Sequence, residues 1–274
     1  MPSPRAPIES YIAVVSAPTL GPDTYVNERP LAEQDGRGSV FGGLLLAQAI
    51  SAASATVDPD FYAYTSSSSF LRPVTRTKEV QYHVERVSDG RSYATRIVRA
   101  SSVGKNADTE IATAEIVLYV ATISFQRRGD SSPADAPFDW LTAGIEFGDR
   151  PSDVRTMGFS RSSAPMTASS SSTTATNLAA LAYMSDEMLL GLPILANPEA
   201  VGHRSRNVAL AVSLNHHLWF HDPGLRVDRW MVGERRTSAG GGRARADPPT
   251  GLGPRDGEVG HDVHAGGFDS AEGA

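Results

Sequence analysis

The apolar positions of this chain fall into two kinds of run. In FGGLLLAQAISAASATVDPD, from Phe41 to Asp60, about a dozen residues after Phe41-Gly42-Gly43 are apolar or small on every side, and Asp58-Pro59 closes the run. This predicts a buried helix with a glycine entrance. Ala47, Ala49, Ala52, Ala53 and Ala55 are small enough to let a sheet approach it closely. The next runs alternate instead. VQYHVERV places Val80, Tyr82 and Val84 on one face, SYATRIVRA follows the Asp89-Gly90 turn, and IVLYVATISF is a continuous apolar run suited to a central strand. One buried helix followed by antiparallel strands predicts a sheet wrapped around a helix.

The same element order recurs. NLAALAYMSDEMLLGLPIL predicts a second helix, and VALAVSL, HLWFH and RWMVGERR predict further strands. Between the halves lies a Ser-, Pro- and Asp-rich stretch that includes SSAPMTASSSSTTAT and reads as a linker. The boundaries are a first domain over 1–128, a linker over 129–176, a partial second domain over 177–242 and a tail over 243–274. The halves share no close residue repeat, so the duplication rests on element order alone. The segment SVGKNADTEIATA ahead of Ile116 is longer than a hairpin needs.

Composition narrows the class without choosing a function. The 274 residues, 40% hydrophobic and 20% charged, are ordinary globular material for two small domains or one large one. A net charge of −6 argues against broad nucleic-acid or membrane-surface binding, while a local basic pocket for an anionic ligand stays open. The absence of cysteine removes disulfides, thiolate nucleophiles and cysteine-based zinc sites. No cofactor or metal is expected. The start MPSPRAPIESYIAV lacks the order of a signal peptide and no apolar run is long enough for a membrane span, so an intracellular soluble protein is expected.

Six blocks, GSVFGGLLLAQAI, SSFLRP, ATISFQ, LAALAYMSD, LNHHLWFH and WMVGERRTS, stand in an order and spacing that resemble the acyl-CoA thioesterase II family. The resemblance runs from about Tyr25 to Ser238. It implies an α+β double hotdog, each half a long helix wrapped by an antiparallel sheet, with the second half incomplete at its end. It also implies hydrolysis of fatty acyl-CoA to free acid and CoA, with acyl-CoA as partner, and a place in lipid metabolism. Relatives of this type are often peroxisomal; a cytoplasmic site is the other expectation. Oligomeric state is left open, a homo-oligomer included.

The resemblance also carries site residues. Thioester hydrolysis needs a group that activates water and donors that hold the tetrahedral oxyanion. The family is understood to use a carboxylate in D-H-x-x-W-F-H, a Ser or Thr in the later strand, and a glutamine near the C-terminus. Here the carboxylate position is Asn215 and the Ser/Thr position is Thr237. Asn has no basic atom, so at best it orients water. His216 matches the family histidine and His217 is additional; on a strand the two point to opposite faces, so at most one meets the water. A structural or surface role is the stronger reading of both. Gly42 and Gly43 either present helix N–H groups to a thioester oxygen or only permit close packing. Arg72, Arg235 and Arg236 either meet CoA phosphates or are solvated charge. Trp219 and Phe220 are expected in the core.

After Ser238 the alternation ends, and the Gly-, Pro-, Arg- and Asp-rich tail is not expected to supply the last strands or the glutamine. Read one base out of register from Ala246 to Ala271, permitted codons spell a strand, a turn and a strand like the family's final hairpin, with the glutamine codon at Ala265. A one-base shift is the leading explanation of the tail, and a disordered extension the rival. Beside the enzyme, a non-catalytic acyl-CoA binder and a partner-binding scaffold on an open sheet edge are the other readings.

Overall fold

The computed structural model describes residues 7–31, 40–74, 79–105, 112–128, 144–147, 154–160, 173–186, 213–227, 231–237 and 261–267. In chain order the elements are α1 (Pro7–Ile12), β1 (Val14–Ser16), a 3-10 turn (Pro18–Leu20), β2 (Thr24–Asn27), α2 (Gly42–Ser54), β3 (Phe61–Phe70), β4 (Gln81–Asp89), β5 (Tyr93–Lys105), β6 (Ala112–Arg127), β7 (Gly144–Phe147), β8 (Val154–Ser160), α3 (Thr174–Ser185), β9 (Asn215–Trp219), β10 (Met231–Thr237) and β11 (His261–Gly267). They form two compact units. The first takes Met1–Pro137, Arg161–Asp186 and Ser213–Trp230; the second takes Phe138–Ser160, Glu187–Val212 and Met231–Ala274.

The first unit is a helix wrapped by a sheet. Its seven strands run β1-β2-β4-β5-β6-β3-β9, each pairing antiparallel. Helix α2 packs on β3 to β6 on one side and on α1 and α3 on the other, which is why it is apolar all round rather than striped. Leu44, Leu45, Leu46 and Ile50 are buried, each contributing roughly 1.5–3 kcal/mol by leaving water. Ala47, Ala49, Ala52 and Ala53 are fully enclosed, whereas Ala55 is the exposed C-cap and contributes nothing to the close approach. Gln48, buried mid-helix, is satisfied at both ends: its Nε2 donates to Tyr11 O at 2.7 Å, and the Tyr82 hydroxyl donates to its Oε1 at 2.6 Å. Those bonds tie α1 and β4 to the same point of α2.

Helix α3 starts where Thr173 caps it, with Thr173 Oγ1 accepting from Thr176 N at 3.2 Å. It packs along α2 through Phe41 and Tyr183, whose ring centroids lie 4.9 Å apart. Strand β9 then leaves the second half of the sequence and completes the first half's sheet against β3, in the register Thr65↔Trp219 to Ser69↔Asn215. The second unit's strands run β11-β10-β8-β7, again antiparallel.

Four regions differ from expectation. The stretch 129–176, read as a linker, carries β7, β8 and the first residues of α3. The tail, expected to be without strands, supplies β11, which pairs Thr237↔His261 through Met231↔Gly267. Ladder pairing uses backbone N–H and C=O groups, so an open edge at β10 can be met by a strand with few apolar side chains. The long segment ahead of Ile116 extends the β5–β6 hairpin, with Val103↔Glu115 and Lys105↔Ala112 paired. In VALAVSL, Ser213 and Leu214 are not in a strand, and residues 208–212 lie outside the described residues.

Candidate active site

Strand β9 sorts the histidine block onto two faces. Along Asn215–Trp219 the side chains alternate exposed and buried, so Asn215, His217 and Trp219 face out while His216 and Leu218 face in. Asn215 Oδ1 accepts from Ser69 Oγ at 2.8 Å on the outer face. His217 stacks beside Trp219 there. His216 points toward α3, where its Nε2 lies 3.3 Å from Ser185 Oγ. Since Ser185 Oγ donates to Ala182 O at 2.8 Å, the imidazole is the donor in that pair. Asn215 and His216 are therefore adjacent in sequence and on opposite sides of the sheet.

The inner face leads to the entrance of α2. Asp186, the C-cap of α3 and 8% exposed, turns its carboxylate onto that helix start. A Cβ placed on Gly42 would lie 2.9 Å from Asp186 Oδ2 and 3.1 Å from the Phe70 ring; one on Gly43 would lie 2.6 Å from the Phe41 ring and 2.7 Å from Tyr183 O. Both glycines make room for the end of α3. The Gly43 amide and Ser213 Oγ donate to the Asp186 carboxylate, the latter at 3.3 Å to Oδ1. Burial pushes the Asp186 carboxyl above its ordinary value, and these two donors only partly offset it.

Hydroxyls line the sheet side of this region. Tyr119 of β6 is fully enclosed, its ring centroid 5.2 Å from that of Phe70. Its hydroxyl has no hydrogen-bond partner among the described residues. Burial raises the phenol well above the ordinary tyrosine range, with Ser68 lowering it and the Asp186 charge raising it further. Ser68 Oγ, the nearby donor, is turned to His216 O at 3.1 Å. Ser66 Oγ on the same face of β3 is likewise buried without a partner among the described residues.

The other sequence candidates lie elsewhere. Arg72 is exposed just past β3. Thr237 ends β10 in the second unit, opposite Val154 and His261; its side chain and those of Arg235 and Arg236 lie outside the described residues. Trp219, expected in the core, is 62% exposed because strand alternation turns it outward, while Phe220 is 4% exposed. Asp186, Tyr119 and Ser213 were not singled out in the sequence. The available signal was an acid directly after the apolar helix LAALAYMS. Among the described residues no group of three or more His, Cys, Asp or Glu is placed to hold a metal ion, and no helix is long and apolar enough to cross a membrane.

Comparison with known proteins covers most of this architecture. The family model of the acyl-CoA thioesterase N-terminal domain matches residues 32–126, and that of the acyl-CoA thioesterase C-terminal domain matches residues 125–247. Acyl-coenzyme A thioesterase 8 of Mus musculus is 27% identical over 247 residues, 74% of this chain and 72% of that protein. The crystal structure of the acyl-CoA thioesterase II TesB2 from Mycobacterium marinum superposes with a TM-score of 0.60 at 25% identity, covering 86% of this chain and 88% of that one. A tesB protein of Mycobacterium avium subs paratuberculosis gives 0.59 at 20% identity, covering 86% and 87%.

Proposed function

The chain belongs to the acyl-CoA thioesterase II family, with its double-hotdog α+β fold and its acyl-CoA thioester hydrolysis, and from that premise we propose that it releases free fatty acid and CoA from fatty acyl-CoA. The observation that carries this is the back-to-back match of both halves of the family, N-terminal then C-terminal, over residues 32–247. The resemblance to acyl-coenzyme A thioesterase 8 supports a place in lipid metabolism; peroxisome or cytoplasm is the compartment we propose.

Within this reading Thr237 supplies a hydroxyl donor to the reaction and Arg72 a cation for the phosphates of CoA. The α2 entrance serves as the polar end of the acyl pocket, with Gly42 and Gly43 admitting the groups that line it. His216 holds β9 to α3 through Ser185. Asn215, where the family has its carboxylate, is occupied by Ser69 and carries no basic atom. Water activation then falls to another group.

The test is release of free thiol, matched mole for mole by free acid, from acyl-CoAs of two to sixteen carbons, using the purified full chain. Turnover of fatty acyl-CoA at about 1 per second or more is in the range of ordinary enzymes. A folded, monodisperse protein that releases no thiol above the buffer rate from any chain length would overturn the proposal.

A further inference from the structure

Building on the thioesterase reading, we propose that Asp186, buried against the start of α2, is the carboxylate that takes the proton from the hydrolytic water, a role that Asn215 cannot fill. Four observations converge on it. Asp186 is 8% exposed, and among the described residues neither lysine nor arginine pairs with it. An ionised carboxylate without a cation is costly to bury unless its basicity is used. Gly42 carries no side chain at the one place where a Cβ would press on Asp186 Oδ2 and Phe70. Tyr119 stands next to Phe70, fully enclosed, with its hydroxyl beside Ser68, whose Oγ is turned to His216 O, and near enough to Asp186 for that charge to raise it further. Asn215 faces the opposite side of the sheet from the inward-facing His216 and cannot bind a proton.

The step balances without any co-reactant. A water oxygen bonds to the thioester carbonyl carbon while one water proton passes to Asp186. The carbonyl π pair moves to oxygen, and the Tyr119 hydroxyl donates a hydrogen bond to the developing charge. Collapse reforms the C=O bond and breaks C–S; the departing CoA thiolate takes the proton back from Asp186. The products are the free acid and CoA, with Asp186 restored. Among the described residues, the titratable side chains on the elements packed around this end of α3 include Tyr119 of β6, His216 of β9, Tyr183 of α3 itself and Glu9 and Tyr11 of α1.

A purely structural role is the rival. Helix α2 has no side-chain cap of its own, and Asp186 could serve as one from outside. Asn caps a helix about as well as Asp but does not accept a proton, so Asp186→Asn separates the two. In the full-length protein the proposal expects D186N to lower kcat by about 100-fold or more. KM and binding of a non-hydrolysable CoA thioether are expected to stay near wild type. The acid limb of log kcat/KM, set by a group above the ordinary 3.8 of aspartate, is expected to vanish in D186N and to persist in D186E, which recovers part of kcat. Tyr119→Phe is expected to lower kcat about 10-fold with the limb intact.

Retention of more than about a tenth of kcat by folded D186N would overturn the assignment, being well short of a lost general base. So would restoration of D186N by a second change, Asn215→Asp, which would locate the base on β9. If D186N does not fold, the pH limb in wild type and D186E decides instead: its absence from wild type overturns the proposal. A wild-type chain that binds the thioether yet hydrolyses nothing sinks the thioesterase reading itself, a result distinct from an active D186N.

Discussion

The two ends of α2 bury opposite charges in opposite ways. At its C-terminal end Arg96 is fully enclosed and every donor is used: Nε to Thr56 Oγ1 at 2.8 Å, Nη1 to Ser88 O and Thr95 O at 2.9 and 3.0 Å, and Nη2 to Thr56 O and Asp89 Oδ1 at 3.1 and 2.5 Å. Thr56 Oγ1 in turn donates to Ala53 O at 2.8 Å. The guanidinium ties the helix end to the β4–β5 hairpin and leaves nothing over for a ligand. At the N-terminal end, among the described residues, Asp186 receives one amide and one long hydroxyl contact, with the Tyr119 hydroxyl nearby. A buried charge whose bonding capacity is exhausted holds a fold together; one left under-bonded is available for chemistry.

Breaking the closed end gives the largest stability effect expected anywhere in the unit. Arg96→Ala removes all of those donors and strands the carbonyls of Ser88, Thr95 and Thr56. Removing one partner of a buried pair costs about 3–5 kcal/mol, and the low end applies because the Asp89 side chain is 57% exposed and rehydrates. Urea unfolding should show the loss, with kcat per folded molecule unchanged. D186N should show the reverse: kcat lost, with no loss of unfolding midpoint at neutral pH. Finding both losses in both variants would dissolve the contrast between the ends.

Packing at the entrance ranks next. Gly43→Ala puts a methyl 2.7 Å from the backbone oxygen of Tyr183, which cannot swing away as a side-chain end would. Overpacking of this kind costs about 1–3 kcal/mol. Because the shift also moves the end of α3, kcat should fall with stability, unlike in Arg96→Ala. Thr173→Ala at the far end of α3 loses the cap on Thr176 N and the exposed hydroxyl contact with Thr176 Oγ1, about 1 kcal/mol by thermal or urea unfolding, with catalysis intact.

What could be read from the sequence follows the same division. The closed parts announce themselves by hydrophobic period: α2 from FGGLLLAQAI, β4 from Val80, Tyr82 and Val84, β6 from IVLYVATISF. Strand β3 does not, because its inward positions include Ser66 and Ser68, and a buried hydroxyl leaves no hydrophobic signal. Trp219 misleads in the other direction, since an aromatic suggests core and the alternation of β9 turns it out. Asp186 is invisible for a further reason. Its burial depends on Gly42, Gly43 and Phe70, more than a hundred positions away in the chain, and a lone acid after a helix ordinarily reads as a solvated end. Asn215 could be aligned by its block, but only the pairing with Ser69 shows which face it takes.

The smallest effect distinguishes two carboxylates of the first unit by sign. Asp23 receives Arg86 Nε at 2.6 Å, and that bond holds its carboxyl below the ordinary value. Its stabilisation is complete above the unfolded value of 3.8 and is lost as pH falls through the lower folded value. The pair is partly exposed, so Asp23→Asn should cost only about 0.2–1 kcal/mol at neutral pH. Asp186 runs the other way. Its folded value is raised by burial, so the ionised form opposes folding at neutral pH, and the opposition fades as pH falls through the folded value toward 3.8. Stability of wild type relative to D186N should therefore rise on acidification through that window, while stability of wild type relative to Asp23→Asn stays level there and falls only below it. Paired urea titrations across pH 3 to 8 read both differences. Parallel curves for the two variants would mean that Asp186 is bonded as fully as Asp23, and the under-bonded end of α2 would lose its claim to the chemistry.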